Sequence, residues 1–359
     1  MQAAFYDPTI SYEKNYTKGP PILFQDKKPK KRTIAKTHSF LGFDVNLPFG
    51  IPPGPLLNSA YIKAAFEFGF DVSTYKTIRS DEFPCHSFPN VLYVDTPKEL
   101  HPEKTPRLIA TDSTKKTKET FSITNSFGVP SKKVADWQKD VKKALSYAGK
   151  GQLMILSFMG TVKENQIPQE FIDDFVLAAK LSVQTGAKVI EANLSCPNIG
   201  NEGLVCYNLD TTEQVCKAIR KNIGNTPLIL KVGYYKNQKD LEKLAEIAER
   251  YGQAIAAINT LQIEVVDKNG NQALPGKNRL RSGVCGASIK WAGLEMVSKL
   301  NTIRQKQNYT YSLVGIGGVM TPKDYFEYRN AGADLVQSAT GAMWNPYLAY
   351  DIGQQEQAK

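Results

Sequence analysis

The sequence predicts an α/β protein folded as a (β/α)8 barrel, and three observations predict it. Eight short β-rich runs alternate with longer amphipathic stretches over about 300 residues. Most runs are followed by a stretch with helical periodicity and its own start or stop signal. The runs end in polar or glycine-rich positions, which is where a parallel α/β sheet presents ligand-binding groups. A doubly wound open sheet is the alternative, and it would leave this many strands without closure.

Taken in order, residues 1–45 are polar and rich in Tyr and Lys, with Gly19-Pro20-Pro21 as a breaker. They read as an N-terminal extension that wraps or frays, with short local structure at most. The barrel is expected over 46–359. Its strands are expected at Leu47–Ile51, Val72–Ile78, Leu153–Gly160, Val189–Ser195, Leu228–Gly233, Ile255–Thr260, Ser312–Gly318 and Leu335–Thr340. Helices are expected at Ala60–Phe68, Pro168–Thr185, Thr212–Asn222, Lys239–Tyr251, Ser288–Leu300 and Pro322–Ala331. Asp210-Thr211-Thr212-Glu213 caps one helix, and Thr321-Pro322 opens another with proline in the first turn. Gly186, Gly252 and Gly332 stand where helices stop. Two insertions, Arg79–Ser122 and Leu261–Cys285, follow the second and sixth strands. They are expected over the catalytic face as lids or interface loops.

A hydrophobic content of 42% and 22% charge are ordinary for a globular chain of 359 residues. Five cysteines, an odd number without paired metal spacing, argue for free thiols in a reducing compartment and for no metal site. All three histidines precede residue 102, which disfavours histidine-based chemistry. The net charge of +10 includes the run Lys27-Lys28-Pro29-Lys30-Lys31-Arg32. Nucleic acid or anionic lipid could meet such a run, but no aromatic–basic interleaving follows it, so a solvated surface is the stronger reading. No segment approaches 18 consecutive apolar residues, and the first 20 residues carry charges without an apolar core. A cytoplasmic protein with no membrane or nucleic-acid partner is expected.

The run Val189–Asn198 ends in Asn193-Leu194-Ser195-Cys196-Pro197-Asn198. Proline stops the strand ladder there, so Asn193, Cys196 and Asn198 are presented at a strand end. The bland alternative is a buried strand end with a small apolar cysteine. The other strand ends offer Pro53-Gly54, Lys76-Thr77, Lys231, Asn259-Thr260, Gly317-Gly318 and Ala339-Thr340. Gly-Gly after the seventh strand and Ala-Thr after the eighth leave room for a phosphate on backbone N–H groups, although a tight turn and a helix cap would explain them too. Lys76 and Lys231 interrupt apolar strands; a buried lysine is costly alone, so an anionic ligand or a structural ion pair is implied. Phosphate site, inward lysines, amides and a thiol together fit a flavin mononucleotide (FMN) barrel.

These segments resemble the dihydroorotate dehydrogenase family, and the related flavin domain of dihydropyrimidine dehydrogenase, over roughly residues 45–350. The Asn193–Asn198 run is similar to the family's active-site signature. The resemblance implies that Cys196 is the general base, as in the soluble class, whereas the membrane-associated, quinone-using class carries serine there. It implies substrate contacts from Lys76, Asn125, the loop residues Phe127, Gly128 and Val129, Asn193, Asn198, Asn259 and Thr260. It implies FMN contacts from Pro53, Gly54, Lys76, Thr77, Asn125, Asn193, Lys231, Gly286, Gly317, Gly318, Ala339 and Thr340. The implied activity is oxidation of (S)-dihydroorotate to orotate in pyrimidine biosynthesis, with a soluble acceptor such as fumarate and a homodimeric state. Gly200–Cys206 looks closer to the dihydropyrimidine dehydrogenase loop. An FMN-dependent oxidoreductase for dihydrouracil-type rings is therefore the alternative, and a redox-inactive phosphate-binding barrel a more distant one.

Overall fold

The computed structural model describes residues 2–32, 36–117, 119–163, 165–195 and 205–357. Eight parallel strands form one ring: β1 (Phe49–Gly50), β2 (Val72–Ile78), β3 (Leu153–Phe158), β4 (Val189–Asn193), β5 (Leu228–Val232), β6 (Ala254–Ala257), β7 (Ser312–Ile316) and β8 (Leu335–Gln337). Their order is β1-β8-β7-β6-β5-β4-β3-β2. The remaining seam is closed where the Thr74 N–H donates to the Ile51 carbonyl at 2.8 Å. A Cβ on Gly50 would overlap the Val72 carbonyl, so only glycine permits this approach. The (β/α)8 barrel is thus the observed architecture, and the open doubly wound sheet is not.

Each expected strand is present; β2 has the expected bounds, and the other seven stop one to three residues short at their carboxyl ends. The strand pattern of Ile255–Thr260 stops at Ala257, which leaves Ile258, Asn259 and Thr260 as a loop. Thr321-Pro322 opens its helix as expected, with Thr321 in a capping box with Asp324, and Asn237 Oδ1 caps another by accepting from Lys239 and Asp240. The cap expected at Asp210–Glu213 is not one: that helix starts earlier, at Leu209, because Asn208 caps it by accepting from the Thr211 N–H, so Asp210–Glu213 lie within its first turns. The helix Val134–Leu145 was not among those expected, nor were Thr340–Trp344 and Leu348–Gln357 at the C-terminal end.

The floor of the barrel is apolar. Val72, Ile155, Val189, Ile229, Val314 and Leu335 meet there, and Phe40 and Val45 seal them from below. Both come from the antiparallel hairpin His38–Phe40/Phe43–Val45. Its turn residues Leu41 and Gly42 both have positive φ (51° and 83°), the geometry of a two-residue hairpin turn with native strand twist. The rest of the extension wraps rather than frays. Ser11 caps the helix Tyr12–Lys18, Ala3 to Tyr6 are buried in the main core, and the Ala4 N–H donates to the Met343 carbonyl at 2.6 Å.

The two insertions are not separate loops. Val91–Val94, Arg107–Thr111 and Ser122–Asn125 from the first pair with Leu261–Val266 and Arg281–Gly286 from the second. Together they make a small closed five-stranded sheet beside the carboxyl ends of the barrel strands.

Phe40→Ala is expected to lower unfolding stability by about 3 kcal/mol, the scale of an aromatic deletion in a core. The ligand-binding rim should be unaffected, because Phe40 lies at the opposite end. Urea unfolding measures the loss, and a change under about 1 kcal/mol would contradict a sealing role for the hairpin.

Candidate active site

One cavity opens at the carboxyl ends of the strands, with about 810 Å³ of empty space including its mouth. Its wall takes residues from β1's exit loop (Gly54), the small sheet (Asn125, Cys285, Gly286), β5 (Lys231), the loop after β6 (Asn259, Thr260), and the ends of β7 and β8. Gly317, Gly318, Ala339 and Thr340 lie on that last wall, and Phe127 faces it from the Ser126–Pro130 loop. Expected residues therefore converge from seven separate stretches of the chain, while Lys76, Thr77 and Asn193 are not part of the cavity lining. Pro53 does not line the cavity; Pro52 and Pro55 flank Gly54 there instead.

The glycine-rich side has the chemistry of a phosphate cradle. The N–H groups of Gly318, Val319, Ala339 and Thr340 have no acceptor among the described residues. Gly317 and Gly318 both have positive φ (124° and 65°), which turns successive N–H groups the same way. A Cβ at Gly54 would meet nothing within 4 Å and would simply fill cavity space. Buried oxygens at Thr260 Oγ1 and Gln337 Oε1 have no hydrogen-bond partner among the described residues. Free donors, open glycines and unpaired buried oxygens are what a polar, phosphate-bearing cofactor would complete.

At the opposite side, Asn193, Ser195 and Asn259 share one amide network. Asn259 Nδ2 donates to the Ser195 carbonyl at 2.7 Å and to Asn193 Oδ1 at 3.3 Å. Lys76 Nζ donates to the Gly54 carbonyl at 3.2 Å and sits 4.8 Å above the Phe127 ring. Thr77 Oγ1 is bonded to Ser157 Oγ at 3.0 Å, so it acts within the barrel wall. Thr340 Oγ1 donates to Cys285 Sγ at 3.3 Å, and burial raises the pKa of that thiol. Burial pushes the thiols of Cys85, Cys206 and Cys216 up to about 12, which keeps them protonated near neutral pH. Cys196 and Asn198 lie outside the described residues.

Gly128 and Val129 do not line this cavity, and they have φ of 74° and 55°. Positive φ at a β-branched residue is strained and needs support. Here the support is a buried shell behind the loop: Arg79, His86, Asn90 and Arg279. A Cβ on Gly128 would overlap the His86 ring. Sequence reading did not single out this shell, because an isolated charge in a loop carries no pattern. It also missed Tyr6, which reaches the cavity from the extension and meets Phe127 edge-on at 5.3 Å.

With this geometry in hand, the comparisons are specific. The profile of the family described as dihydroorotate dehydrogenase matches residues 69–357. A dihydroorotate dehydrogenase of Dictyostelium discoideum is 41% identical over 96% of this chain and 95% of its own length. The chain belongs to the dihydroorotate dehydrogenase family. It is thereby an oxidoreductase of a flavin-dependent family. Two more distant relatives match about half of the chain. One is a dihydroorotate dehydrogenase B (NAD(+)) catalytic subunit of Maridesulfovibrio salexigens, 31% identical over 50% of this chain and 56% of its own length. The other is a putative dihydroorotate dehydrogenase A (fumarate) of Pediococcus pentosaceus, 31% identical over 50% and 57% respectively. No helix among the described residues is long and apolar enough to cross a membrane.

His86 links the loop to pH. Burial and the charges of Arg279 and Arg79 lower its pKa to about 4 from 6.5. Between those values the unfolded imidazole binds a proton that the folded one refuses, so stability falls as pH drops from 6.5 to 4. Above 6.5 the residue has no such effect. His86→Gln should flatten the dependence of the unfolding midpoint on pH within that window; an unchanged slope would assign the acid sensitivity elsewhere.

Proposed function

We propose that this protein catalyses the FMN-dependent oxidation of (S)-dihydroorotate to orotate, with Cys196 as general base. The observation that carries the reading is a phosphate cradle after β7 and β8 in the same cavity as Phe127, the residue that opens a loop whose three adjacent N–H groups, Phe127–Val129, have no acceptor among the described residues. A flavin mononucleotide and an anionic pyrimidine would satisfy the two ends together. The near full-length likeness to the Dictyostelium discoideum enzyme supports the substrate.

When bound, FMN supplies a hydride acceptor of conjugated, tunable charge. Gly317, Gly318, Ala339 and Thr340 would hold its phosphate on backbone N–H groups. Lys231 would face the ring and favour the negative charge of the reduced form. Asn125, Asn193, Asn198 and Asn259 would bond the pyrimidine edge. Lys76 and the Phe127–Val129 N–H groups would hold the carboxylate. Cys196 would take the proton from C5 as the hydride leaves C6, which leaves a C5–C6 double bond. The two electrons would pass to a soluble acceptor; fumarate, reduced to succinate, is the acceptor we favour, and the Pediococcus pentosaceus relative's name supports it. A cytoplasmic homodimer completes the proposal.

The deciding measurement is an anaerobic visible spectrum of the purified protein before and after dihydroorotate. Flavin absorbance that bleaches within seconds, then returns with fumarate as succinate appears, is the expected result. Bleaching by dihydrouracil and not by dihydroorotate would move the protein to the dihydropyrimidine reading. Cys196→Ala should keep its flavin yet reduce it at least ~100-fold more slowly, the usual scale for a general base. An ordinary thiol titrates near pH 8.5, so the wild-type reduction rate should climb with pH up to about that value.

A further inference from the structure

We propose that Arg79 and Arg279 are positioning residues that preset the carboxylate subsite and make the enzyme prefer an anionic dihydropyrimidine to a neutral one. The inference rests on the reading above that the Phe127–Val129 loop receives the substrate carboxylate. The two side chains lie 200 positions apart in the chain, and both are at least 98% buried behind that loop (1% and 2% exposed). Arg79 Nε donates to the Val129 carbonyl at 2.9 Å and Nη2 to the Gly128 carbonyl at 3.0 Å. Its Nη1 reaches Thr161 Oγ1 at 3.1 Å, and Phe83 stacks 4.0 Å from the guanidinium. Arg279 Nη2 donates to the Ser126 carbonyl at 2.9 Å and the Pro89 carbonyl at 3.1 Å, and Nη1 to the Ser87 carbonyl at 2.8 Å.

Peptide planarity turns these bonds into an orientation. In a trans peptide the carbonyl and the following N–H point in opposite directions. The carbonyls of Ser126 and Gly128 point back to Arg279 and Arg79, and that of Phe127 points back to the His86 N–H at 3.0 Å. The N–H groups of Phe127, Gly128 and Val129 must then point forward, away from the shell. None of the three has an acceptor among the described residues. Three adjacent free donors aimed one way form an anion-binding nest. The planar guanidinium fork suits this clamp because it serves neighbouring carbonyls with fixed spacing.

The shell also carries charge. A neutral amide can hold the same loop, as Asn90 Nδ2 does on the Ser126 carbonyl at 3.2 Å. Burying two guanidinium groups is costly where amides would serve. What the guanidinium groups add is a positive field at the loop, and the lowered pKa of His86, to which both arginines contribute, registers that field. Asp174 stands one layer further back, where it accepts from the Thr161 N–H and Ser80 Oγ at 2.6 Å each.

The test compares orotate with uracil, the same ring without the carboxylate, by titrating each into flavin-loaded protein and following the flavin spectrum. In Arg79→Met and Arg279→Met, flavin content should hold and orotate affinity should drop about 10- to 100-fold, the scale of a lost charged contact. Uracil affinity should change less than about threefold, and KM for dihydroorotate should rise while kcat falls by a smaller factor. Equal losses for both ligands would mean a merely structural role, and no loss for either would mean no role; both outcomes overturn the proposal. Should the Met variants fail to fold, Arg79→Lys and Arg279→Lys decide, since they keep the charge and lose the fork. They should show a smaller loss that is still selective for orotate, and a non-selective loss overturns the proposal. Wild-type protein that binds uracil but not orotate would overturn the dihydroorotate reading itself, and this inference with it.

Discussion

Closure of the barrel at the β1–β2 seam is the constraint on which the site depends. β1 is only two residues long, and the ring shuts because Gly50 has no side chain to collide with Val72 and because Thr74 reaches Ile51. Closure forces every parallel strand to deliver its last residues to one rim. It also sets the loop Pro52–Pro55 directly against β2, so that Lys76 can donate to the Gly54 carbonyl. Without the closed ring, Asn259, Lys231 and Gly317 would be scattered along a sheet edge. With it they face one another across a single cavity.

Period-two alternation along each strand then divides the interior by height. Val189 is in the apolar floor, Glu191 is in the middle and Asn193 is at the rim. Val72, Thr74 and Lys76 repeat the sequence on β2, and Leu335 and Gln337 repeat it on β8. The middle layer is partly self-satisfied: Gln337 Nε2 donates to Thr74 Oγ1 at 2.9 Å. Glu191 Oε1, Gln337 Oε1 and Thr260 Oγ1 are buried without a hydrogen-bond partner among the described residues. A buried oxygen left without a partner costs stability. The apolar floor and its Phe40–Val45 seal offset that cost at the end of the barrel where no chemistry takes place.

This division explains what could be read from the chain. A strand of period two followed by a helix of period 3.6 is a local pattern, so the eight strands and most of their helices were legible. The polar strand ends were legible for the same reason, since a lysine in an apolar run breaks a pattern. Partners fixed by long-range pairing were not. The small sheet joins Ser122–Asn125 to Arg281–Gly286 through short, unexceptional runs, and only the pairing gives them meaning. The wrapping of Ala3–Tyr6 against the core had no periodicity to announce it. Arg79 and Arg279 look like surface charges in sequence, because what makes them internal is a loop contributed by another part of the chain.

The free donor groups on the cavity wall at Gly318–Val319 and Ala339–Thr340, and those of the Phe127–Val129 loop, belong to the backbone. Side-chain replacement at those positions leaves an N–H in place, so specificity there is carried by conformation. Conformation is set by whatever holds the reverse side of each loop. Behind Gly318–Val319 that support is Tyr328, whose hydroxyl donates to the Gly317 carbonyl at 2.6 Å from a helix packed on the barrel. Behind Phe127–Val129 it is the guanidinium pair, which takes the carbonyls of Ser126, Gly128 and Val129. The same device, a loop carbonyl gripped from behind, is therefore used twice. In each case the gripping residue lies behind the loop whose N–H groups have no acceptor among the described residues.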